Sequence, residues 1–211
     1  FITTDAAITR ECLQQALRDS TDISFNMISV DGDTSTNDMA IIMANGQAQN
    51  KVIDNPASED YSLFKQALDQ VNIALAKMIA RDGEGATRII EVEAAGAKNN
   101  RDARIIARAI VSSNLFKAAV YGQDANWGRI ICAAGYSGVD LNPDTIDIWL
   151  GRQQVAQNGS GLPFDEDLAR EDLAQEVVKV KIGLNQGTGQ AIAWGCDLTY
   201  DYVKINASYR S

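Results

Sequence analysis

The sequence predicts a mixed α/β fold, because two patterns of apolar residues alternate along its 211 residues. Apolar side chains recur every three to four positions over residues 62–81, whereas residues 87–95 form a short, strand-like run. The first pattern is typical of an amphipathic helix and the second of a β-strand. Hydrophobic residues make up 45% of the chain, which is enough to bury a core and argues against disorder.

The first 85 residues predict two helices and two strands. Residues 9–19 form the first helix, with Thr9 as N-cap and one apolar face that comprises Cys12, Leu13, Ala16 and Leu17. The apolar runs 23–30 and 39–44 are typical of strands, and residues 47–60, which contain Pro56, are typical of a surface loop. The helix over 62–81 is the clearest element because its apolar stripe is broad, and it ends at Asp82-Gly83-Glu84-Gly85.

A second α/β unit is expected after this segment. In order, the patterns predict a strand over 87–95, a helix over 102–112, strands over 116–122 and 144–150 with a short helix over 130–134 between them, a helix over 165–176, and a hairpin of 177–184 with 190–195. The last segment, 196–211, follows helical spacing at Leu198, Tyr202, Ile205 and Tyr209, although its tyrosines would also suit a strand. The expected domains are therefore 1–87 and 88–211.

Charge, cysteine content and the absence of histidine exclude several classes of partner and of catalytic site. Nineteen Lys and Arg against 28 Asp and Glu give a net charge of −9, with no basic cluster that would bind nucleic acid or an anionic membrane. No apolar run approaches the roughly 20 residues that span a bilayer. Three widely spaced cysteines argue against a disulfide framework and a zinc site, and they suit the cytoplasm. Without histidine, the chain alone cannot supply Ser-His or Cys-His catalysis. We expect neither a metal nor a cofactor.

Residues 29–38, SVDGDTSTND, form a strongly polar segment between two apolar runs. Asp31, Asp33 and Ser35 alternate as calcium ligands do. However, Gly32 stands at the wrong position for an EF-hand loop, and Ile42 occupies the place of its bidentate Glu. The two remaining interpretations are a hydrogen-bonded connector and a part of a functional site whose partners lie elsewhere.

Gly83-Glu84-Gly85 places a carboxylate between two residues without side chains. Such a carboxylate can contact a cationic group of a substrate, because the glycines let a ligand approach closely. The alternative is an exposed helix C-cap with Gly83 in the left-handed conformation.

Three further motifs favour structural interpretations or fail a chemical requirement. Residues 126–129, NWGR, are more typical of a core anchor beside a tight turn than of a stacking loop. Residues 183–189, GLNQGTG, lack the ending of a phosphate-binding P-loop and are expected to join two strands. A threonine nucleophile that uses its own α-amine must be the first residue, so neither Thr3 nor Thr4 qualifies behind Phe1.

Five separate blocks resemble one family over essentially the whole chain. In order, they are residues 1–6 (FITTDA), 24–38 (SFNMISVDGDTSTND), 83–98 (GEGATRIIEVEAAGAK), 121–130 (YGQDANWGRI) and 196–211 (CDLTYDYVKINASYRS). Together they resemble the β chain of the ornithine acetyltransferases, the glutamate N-acetyltransferases of arginine biosynthesis.

This resemblance implies a precursor that cleaves itself into α and β chains and assembles as an α2β2 heterotetramer. The implied fold is a layered sandwich like that of N-terminal-nucleophile enzymes, completed by the α chain, with a smaller C-terminal α/β domain whose tail returns to the active site. The nucleophile would be a Thr four residues before Phe1, with its α-amine as general base. Acetyl would pass from N-acetylornithine to this Thr and then to glutamate.

The resemblance also implies the site residues. Within this chain, the family's substrate contacts carry over to Glu84, Asn206 and Ser211, where many relatives have Thr at the last position. The oxyanion-stabilising groups would come from the α chain, and members differ in whether acetyl-CoA also serves as donor. Aminopeptidases or amidases of the same self-cleaving architecture are the alternative class, and a purely structural partner is a third. By this resemblance, residues 29–38 would brace the site more than contact substrate.

Overall fold

The structure is a computed structural model that describes residues 1–208. Its elements are β1 Ile2–Thr4, α1 Arg10–Asp22, β2 Ile28–Ser29, β3 Ile42–Ala44, α2 Glu59–Arg81, β4 Ile89–Ala97, α3 Asn100–Val111, α4 Asn114–Tyr121, α5 Trp127–Gly135, β5 Asp147–Leu150, β6 Gln153–Gln157, β7 Ser160–Gly161, α6 Glu166–Leu173, β8 Val177–Gly183, β9 Gly189–Cys196 and α7 Tyr200–Ser208, with two 3-10 turns at Phe25–Met27 and Pro143–Thr145. The predicted mixed α/β class is confirmed. The C-terminal helix is confirmed as α7.

The chain forms two compact units. One comprises Phe1–Asn26 and Thr34–Ala76, and the other comprises Met27–Asp33 and the chain from Lys77 onward. The short segment Met27–Asp33 thus belongs to the C-terminal unit, which is the larger of the two in this chain. The functional division into 1–87 and 88–211 stays a prediction.

The N-terminal unit contains a pair of parallel strands and the apolar faces of two helices. Strand β1 pairs with β3, with Ile2 opposite Ile42. Helix α1 begins as predicted, since the Thr9 hydroxyl oxygen accepts a hydrogen bond from the Cys12 N–H at 3.4 Å. The core of this unit consists of Cys12, Ala16, Ile53, Tyr61 and Leu68, with Ile2, Ile8, Ile42 and Phe64 packed against it.

The predicted strand over 23–30 is wrong for most of its length. Helix α1 continues to Asp22, a 3-10 turn follows, and only Ile28–Ser29 pairs as a strand. The reason lies in two hydroxyls: Thr21 donates to the Leu17 carbonyl at 2.7 Å and Ser24 to the Ser20 carbonyl at 2.6 Å. These bonds occupy the two hydroxyls and two backbone carbonyls within helical geometry. The chain therefore continues as a helix and a turn here, and not as a strand that pairs with a neighbour.

The C-terminal unit contains a seven-stranded mixed sheet in the order β2-β9-β4-β8-β5-β6-β7. The central strand β4 pairs antiparallel with β9 and parallel with β8. Helix α3 packs on β4 and β9. The interface is apolar because apolar residues recur at strand spacing on β4 and at helical spacing on α3. Its fully buried residues include Ile90, Val92, Ala94, Ala103, Ile106 and Ile110.

The predicted hairpin of 177–184 with 190–195 is wrong in its pairing. Both strands exist, but β4 lies between them, so the connection crosses the end of β4. The crossing is tight: the Gln186 N–H donates to the Gly96 carbonyl at 2.7 Å, and a Cβ on Gly187 would lie 2.5 Å from the Ala97 carbonyl oxygen. The glycines of GLNQGTG therefore permit a close backbone crossing.

The predicted strand over 116–122 is also wrong. Residues Asn114–Tyr121 form helix α4, whose N-cap is the Ser113 hydroxyl. Phe116, Ala119 and Val120 are buried at helical spacing, and Lys117 between them is buried as well. The segment is short and apolar at nearly every position except Lys117, so the sequence shows no clear helical period. The short strands β6 and β7 were not expected either.

Candidate functional site

Glu84 lies on the turn after α2, and its flanking glycines are needed for the close approach of other segments. A Cβ on Gly83 would lie 2.8 Å from the Cys196 sulfur, and one on Gly85 would lie 2.7 Å from the Tyr202 backbone nitrogen. Gly85 has φ +67°, so the left-handed residue is Gly85 and not Gly83, as the C-cap interpretation assumed. Any side chain at either position would displace the turn from its neighbours.

Glu84 and Asn206 are brought together, although 122 positions separate them in sequence. The Asn206 side-chain amide donates to Glu84 Oε2 at 2.6 Å and to the Tyr202 carbonyl at 3.0 Å. Both residues are exposed, and among residues 1–208 no side chain donates to Glu84 Oε1. One carboxylate oxygen is thus oriented by an amide while the other faces a surface that a cation can reach. Ser211, the third predicted contact, lies outside the described residues.

Helix α7 is held beside Glu84 by two polar anchors. The Thr199 hydroxyl donates to the Gly85 carbonyl at 2.8 Å and accepts from the Tyr202 N–H at 3.2 Å, so it caps α7 and ties it to the turn. The Tyr202 hydroxyl donates to Asp31 Oδ2 at 3.0 Å. This hydrogen bond, followed by desolvation and the negative charges of Asp31, Glu84 and Asp33, raises the pKa of Tyr202.

Asp197 fastens the chain just after Glu84. Its carboxylate is buried and accepts hydrogen bonds from the Thr87 N–H at 2.8 Å, the Arg88 N–H at 3.0 Å and the Thr87 hydroxyl. A buried carboxylate with several donors is stable because its lost hydration is replaced. The turn that carries Glu84 is therefore held by the Asp197 carboxylate as well as by α7.

The polar segment 29–38 contributes to this arrangement through Asp31. Ser29 is buried in β2, and the Asp31 carboxylate accepts from the Asp33 N–H at 3.0 Å as well as from Tyr202. Among residues 1–208, no group of three or more Asp, Glu, Cys or His could hold a metal ion. The hydrogen bond from Tyr202 of α7 makes Asp31 a support of the Glu84–Asn206 pair.

Trp127 and Arg129 of the NWGR motif make structural contacts. The Trp127 ring occupies the space beside Gly161, where a Cβ would lie 2.7 Å from it. Arg129 donates to the Leu115 carbonyl at 2.9 Å and pairs with Asp124 at 3.6 Å. These contacts join α5 to its neighbours and favour a structural interpretation, although Trp127 is half-buried and does not belong to the core.

Sequence reasoning missed Thr199, Tyr202 and Asp197 as supports, whereas Asp31 belongs to the segment 29–38 that was expected to brace the site. One local signal was available for Thr199, since it directly precedes the helical spacing of the last segment and is a good N-cap residue. Nothing local indicates that Asp31 and Tyr202, which lie 171 positions apart, would meet.

No helix in the described part of the chain is long and apolar enough to cross a membrane.

Comparison with known proteins identifies the family of the chain. Residues 1–211 match the ArgJ family. Relatives named arginine biosynthesis bifunctional protein ArgJ include those of Bacillus licheniformis, 55% identical over 211 residues, and Clostridium acetobutylicum (ArgJ 1), 53% identical over 215 residues; both alignments cover 100% of this chain and 52% of the relative. The chain thus spans about half the length of these relatives.

A solved structure agrees over nearly the whole chain. The crystal structure of arginine biosynthesis bifunctional protein argJ from Bacillus halodurans superposes with a TM-score of 0.96 at 51% sequence identity, covering 99% of this chain and 98% of that one. The agreement extends over both units, and therefore over the segments that carry Glu84 and Asn206. By a sequence match over all 211 residues given and by fold, the chain belongs to the ArgJ family.

Proposed function

We propose that this chain is the β subunit of an acetyltransferase of arginine biosynthesis, which moves acetyl from N-acetylornithine to glutamate through an acetyl-threonine. The observation that carries the proposal is the Glu84–Asn206 pair on the surface of an ArgJ-family chain. The names of the relatives support this transferase and not the aminopeptidase or amidase alternative.

In this proposal Glu84 binds the ornithine ammonium group. A carboxylate with one oxygen held by an amide, and with no donor to the other among residues 1–208, can form a charge-assisted hydrogen bond to an alkylammonium. Asn206 orients Glu84 and contacts the amino-acid end of the substrate. Ser211 would complete this recognition through its hydroxyl.

The nucleophile is proposed to be a Thr upstream of Phe1, released by cleavage of a precursor. Its α-amine would take the hydroxyl proton as the hydroxyl attacks the acetyl carbonyl, and would return it to the leaving amine of ornithine. The match to 98% of the Bacillus halodurans chain, against 52% of the full-length relatives, supports a separate chain of this length. The word bifunctional in the relatives' names indicates two activities, and we include acetyl-CoA as a second donor.

The partner is proposed to be the α chain of the same precursor, in an α2β2 heterotetramer. Two parallel strands are too few for a stable isolated sheet, and β1–β3 has no third strand among the described residues. The N-terminal unit also exposes Met39, Met43, Leu63 and Val71, with 73%, 50%, 58% and 46% of their surfaces accessible. Apolar exposure of this kind marks an association surface. Free cysteines at positions 12, 132 and 196 suit the proposed cytoplasmic location.

The decisive experiment uses the full-length precursor and measures ornithine release from N-acetylornithine with and without glutamate. We expect release that depends on glutamate, with equal formation of N-acetylglutamate. Equal release without any amine acceptor would instead identify an amidase. No turnover with N-acetylornithine or acetyl-CoA, in a protein shown to be folded, would refute the proposal.

A further inference from the structure

Helix α3 covers one face of the sheet in the C-terminal unit, and the opposite face carries charged side chains. On that opposite face a row of four side chains crosses β9, β4, β8 and β5, each in register with the next: Ile192, Glu93, Lys181 and Trp149. Ile192 is 41% exposed, and the side chains of Lys181 and Glu93 are 47% and 44% exposed. The row is therefore accessible to a partner.

The charges of this row have defined positions. The Lys181 Nζ lies 3.3 Å from the Glu93 carboxylate and 5.9 Å from the centroid of the Trp149 ring. The next row on the same face repeats the order of charges, since Glu91 of β4 lies in register with Lys179 of β8. Strand β4 thus presents two carboxylates, and the neighbouring strand β8 presents two ammonium groups. A negative stripe runs beside a positive one.

Such a face is complementary to a second copy of itself. Across the strands the row has the order apolar, acidic, basic, apolar, so reversing it exchanges the acid with the base and one apolar end with the other. A twofold axis parallel to the strands, midway between β4 and β8, lays β4 of one copy over β8 of the other and β9 over β5. Glu93 of each copy then faces Lys181 of the other, and Ile192 faces Trp149.

The energetic balance of this contact is favourable at the ends of the row and tolerable at its centre. Each charge already has an opposite neighbour in its own chain and gains a second one from the other copy, so no lone charge is buried. Ile192 and Trp149 lose contact with water, which favours association. A cleft of about 470 Å³ that Lys179 and Lys181 line gives room for the long side chains of the second copy.

We propose that this sheet face is a contact surface between two copies of the chain, related by a twofold axis parallel to β4 and β8. The argument for a second copy, and not for another partner, is that the charges and the apolar ends match their own reversed order. The inference assigns a twofold contact within the proposed α2β2 heterotetramer, and it rests on that proposal for the number of chains. The competing interpretation is a solvated outer face, which antiparallel strands often have.

The test measures the native mass of the full-length protein by light scattering after gel filtration. We expect the mass of two copies for the unaltered protein. Glu93→Lys and Lys181→Glu, each made alone, should reduce this mass twofold, because either substitution gathers four like charges at the contact. Charge reversal is used because it adds repulsion, whereas neutralisation of a half-exposed pair removes only a small contribution.

A mixture of the two variants makes the result specific. Glu93→Lys and Lys181→Glu proteins in equal amounts should recover the mass of two copies, because one chain then supplies only positive charges to the contact and the other only negative charges. Contacts within a single chain cannot produce this recovery. The control is Arg170→Glu, which reverses an exposed charge paired with Asp167 on α6 and should leave the mass unchanged.

A single-copy mass for the unaltered protein, an unchanged mass in both single variants, or a mixture that stays at the single-copy mass would overturn the proposal. If circular dichroism shows that a charge variant does not fold, Ile192→Asp tests the apolar end of the row, and a retained twofold mass in that variant would overturn it as well. Native mass requires no turnover. A protein without acetyltransferase activity would therefore refute the proposed activity while the contact is still measured.

Discussion

The Glu84–Asn206 pair combines exposure with fixed geometry. Exposed ion pairs and hydrogen bonds usually contribute little, because both side chains lose rotamer freedom and water competes. Here the Glu84 backbone is held through Gly85 and Asp197, and Asn206 is held by the Tyr202 carbonyl as well as by Glu84. Folding therefore already orders both side chains, which supports the proposal that Glu84 contacts a cationic group.

At the same scale, Glu84→Gln should weaken binding of N-acetylornithine without disturbing the fold. The amide oxygen can still accept from Asn206, but the negative charge that would pair with the substrate ammonium is lost. We expect kcat/KM to fall by about 10- to 100-fold, as for loss of a hydrogen bond to a charged group. Steady-state kinetics of the full-length protein measures this. The matched control is Glu166→Gln, an exposed glutamate on α6, which should retain activity; equal losses in both variants would contradict the assignment.

Individual residues could be predicted from the sequence only where chemistry and local pattern coincide. Glu84 and Asn206 were predicted as substrate contacts because their segments resemble a known family, whereas the Gly83-Glu84-Gly85 triplet alone left the C-cap interpretation open. Asp31 was read as part of a polar turn, but its partner Tyr202 could not be inferred, since a hydrogen bond across 171 positions depends on the topology of the sheet. The burial of Lys117 was not predicted either, because lysines are almost never fully buried.

At the scale of elements, the site depends on how closely α7 approaches the turn after α2. Gly85 makes this approach possible in two ways, through its left-handed backbone and through its missing side chain. Thr199 and Asp31 then provide the hydrogen bonds that retain α7 in place. The helix itself buries none of its residues fully, so these polar anchors carry much of its attachment.

The substitution Gly85→Ala should detach α7, whereas Gly138→Ala should not. Both glycines have positive φ, +67° and +84°, so each alanine variant should lose about 1 kcal/mol through backbone strain. Only at Gly85 does the new Cβ meet another element, 2.7 Å from the Tyr202 nitrogen; at Gly138 nothing lies within 4 Å. Hydrogen exchange over 203–207 should rise in the first variant alone. A similar rise in both would show that strain, and not the close approach, controls α7.

The central strand offers a prediction about pH. Burial tends to raise the pKa of Glu91, but hydrogen bonds from Lys77 and Trp194 and the charges of Lys77 and Lys179 outweigh it and lower the pKa. A lowered carboxyl pKa adds stability above the unfolded value of about 4.3, and this contribution is lost as pH falls through the folded pKa.

We therefore expect Glu91→Gln to cost about 1–2 kcal/mol of unfolding free energy at pH 7 and progressively less below pH of about 4. Urea unfolding from pH 3 to pH 7 measures this. The control is Glu93→Gln, whose partner Lys181 lies 3.3 Å away with both side chains nearly half exposed. That variant should change stability by less than about 0.5 kcal/mol at any pH. Parallel pH profiles for Glu91→Gln and the unaltered protein would contradict the assignment.

Elements with a clear period were predicted well, and those decided by long-range pairing were not. Helices α2 and α3 and strand β4 were found within a few residues of their bounds, because one apolar face or run determines each of them. Strands β8 and β9 were found, yet their hairpin was wrong, since periodicity does not reveal which strand lies between two others. The predicted strand over the residues of α4 was wrong because this short segment, with Lys117 among its apolar residues, shows no clear helical period.

At the scale of the whole molecule, the two units present different surfaces. In the described residues, the C-terminal unit has an open seven-stranded sheet, which α3 covers on one face. The N-terminal unit has two parallel strands, and its helix α2 exposes apolar residues along a second face that includes Val71 and Leu75. A globular unit rarely leaves a short sheet and an apolar helix face uncovered, which supports the proposal that this unit packs against another polypeptide.

This asymmetry predicts where assembly with the proposed α chain can be broken. Val71→Asp and Met43→Asp each place a carboxylate on an exposed apolar position of the N-terminal unit, where burial in an interface would cost several kcal/mol. Each should abolish copurification of the two chains and shift the complex to smaller species in light scattering. Leu115→Asp is the control, since Leu115 is 59% exposed on α4 of the C-terminal unit. Circular dichroism separates lost assembly from lost folding, because the sheet of the C-terminal unit should remain intact. If Val71→Asp and Met43→Asp assemble normally, or if Leu115→Asp loses assembly to the same extent, these positions of the N-terminal unit do not form the interface.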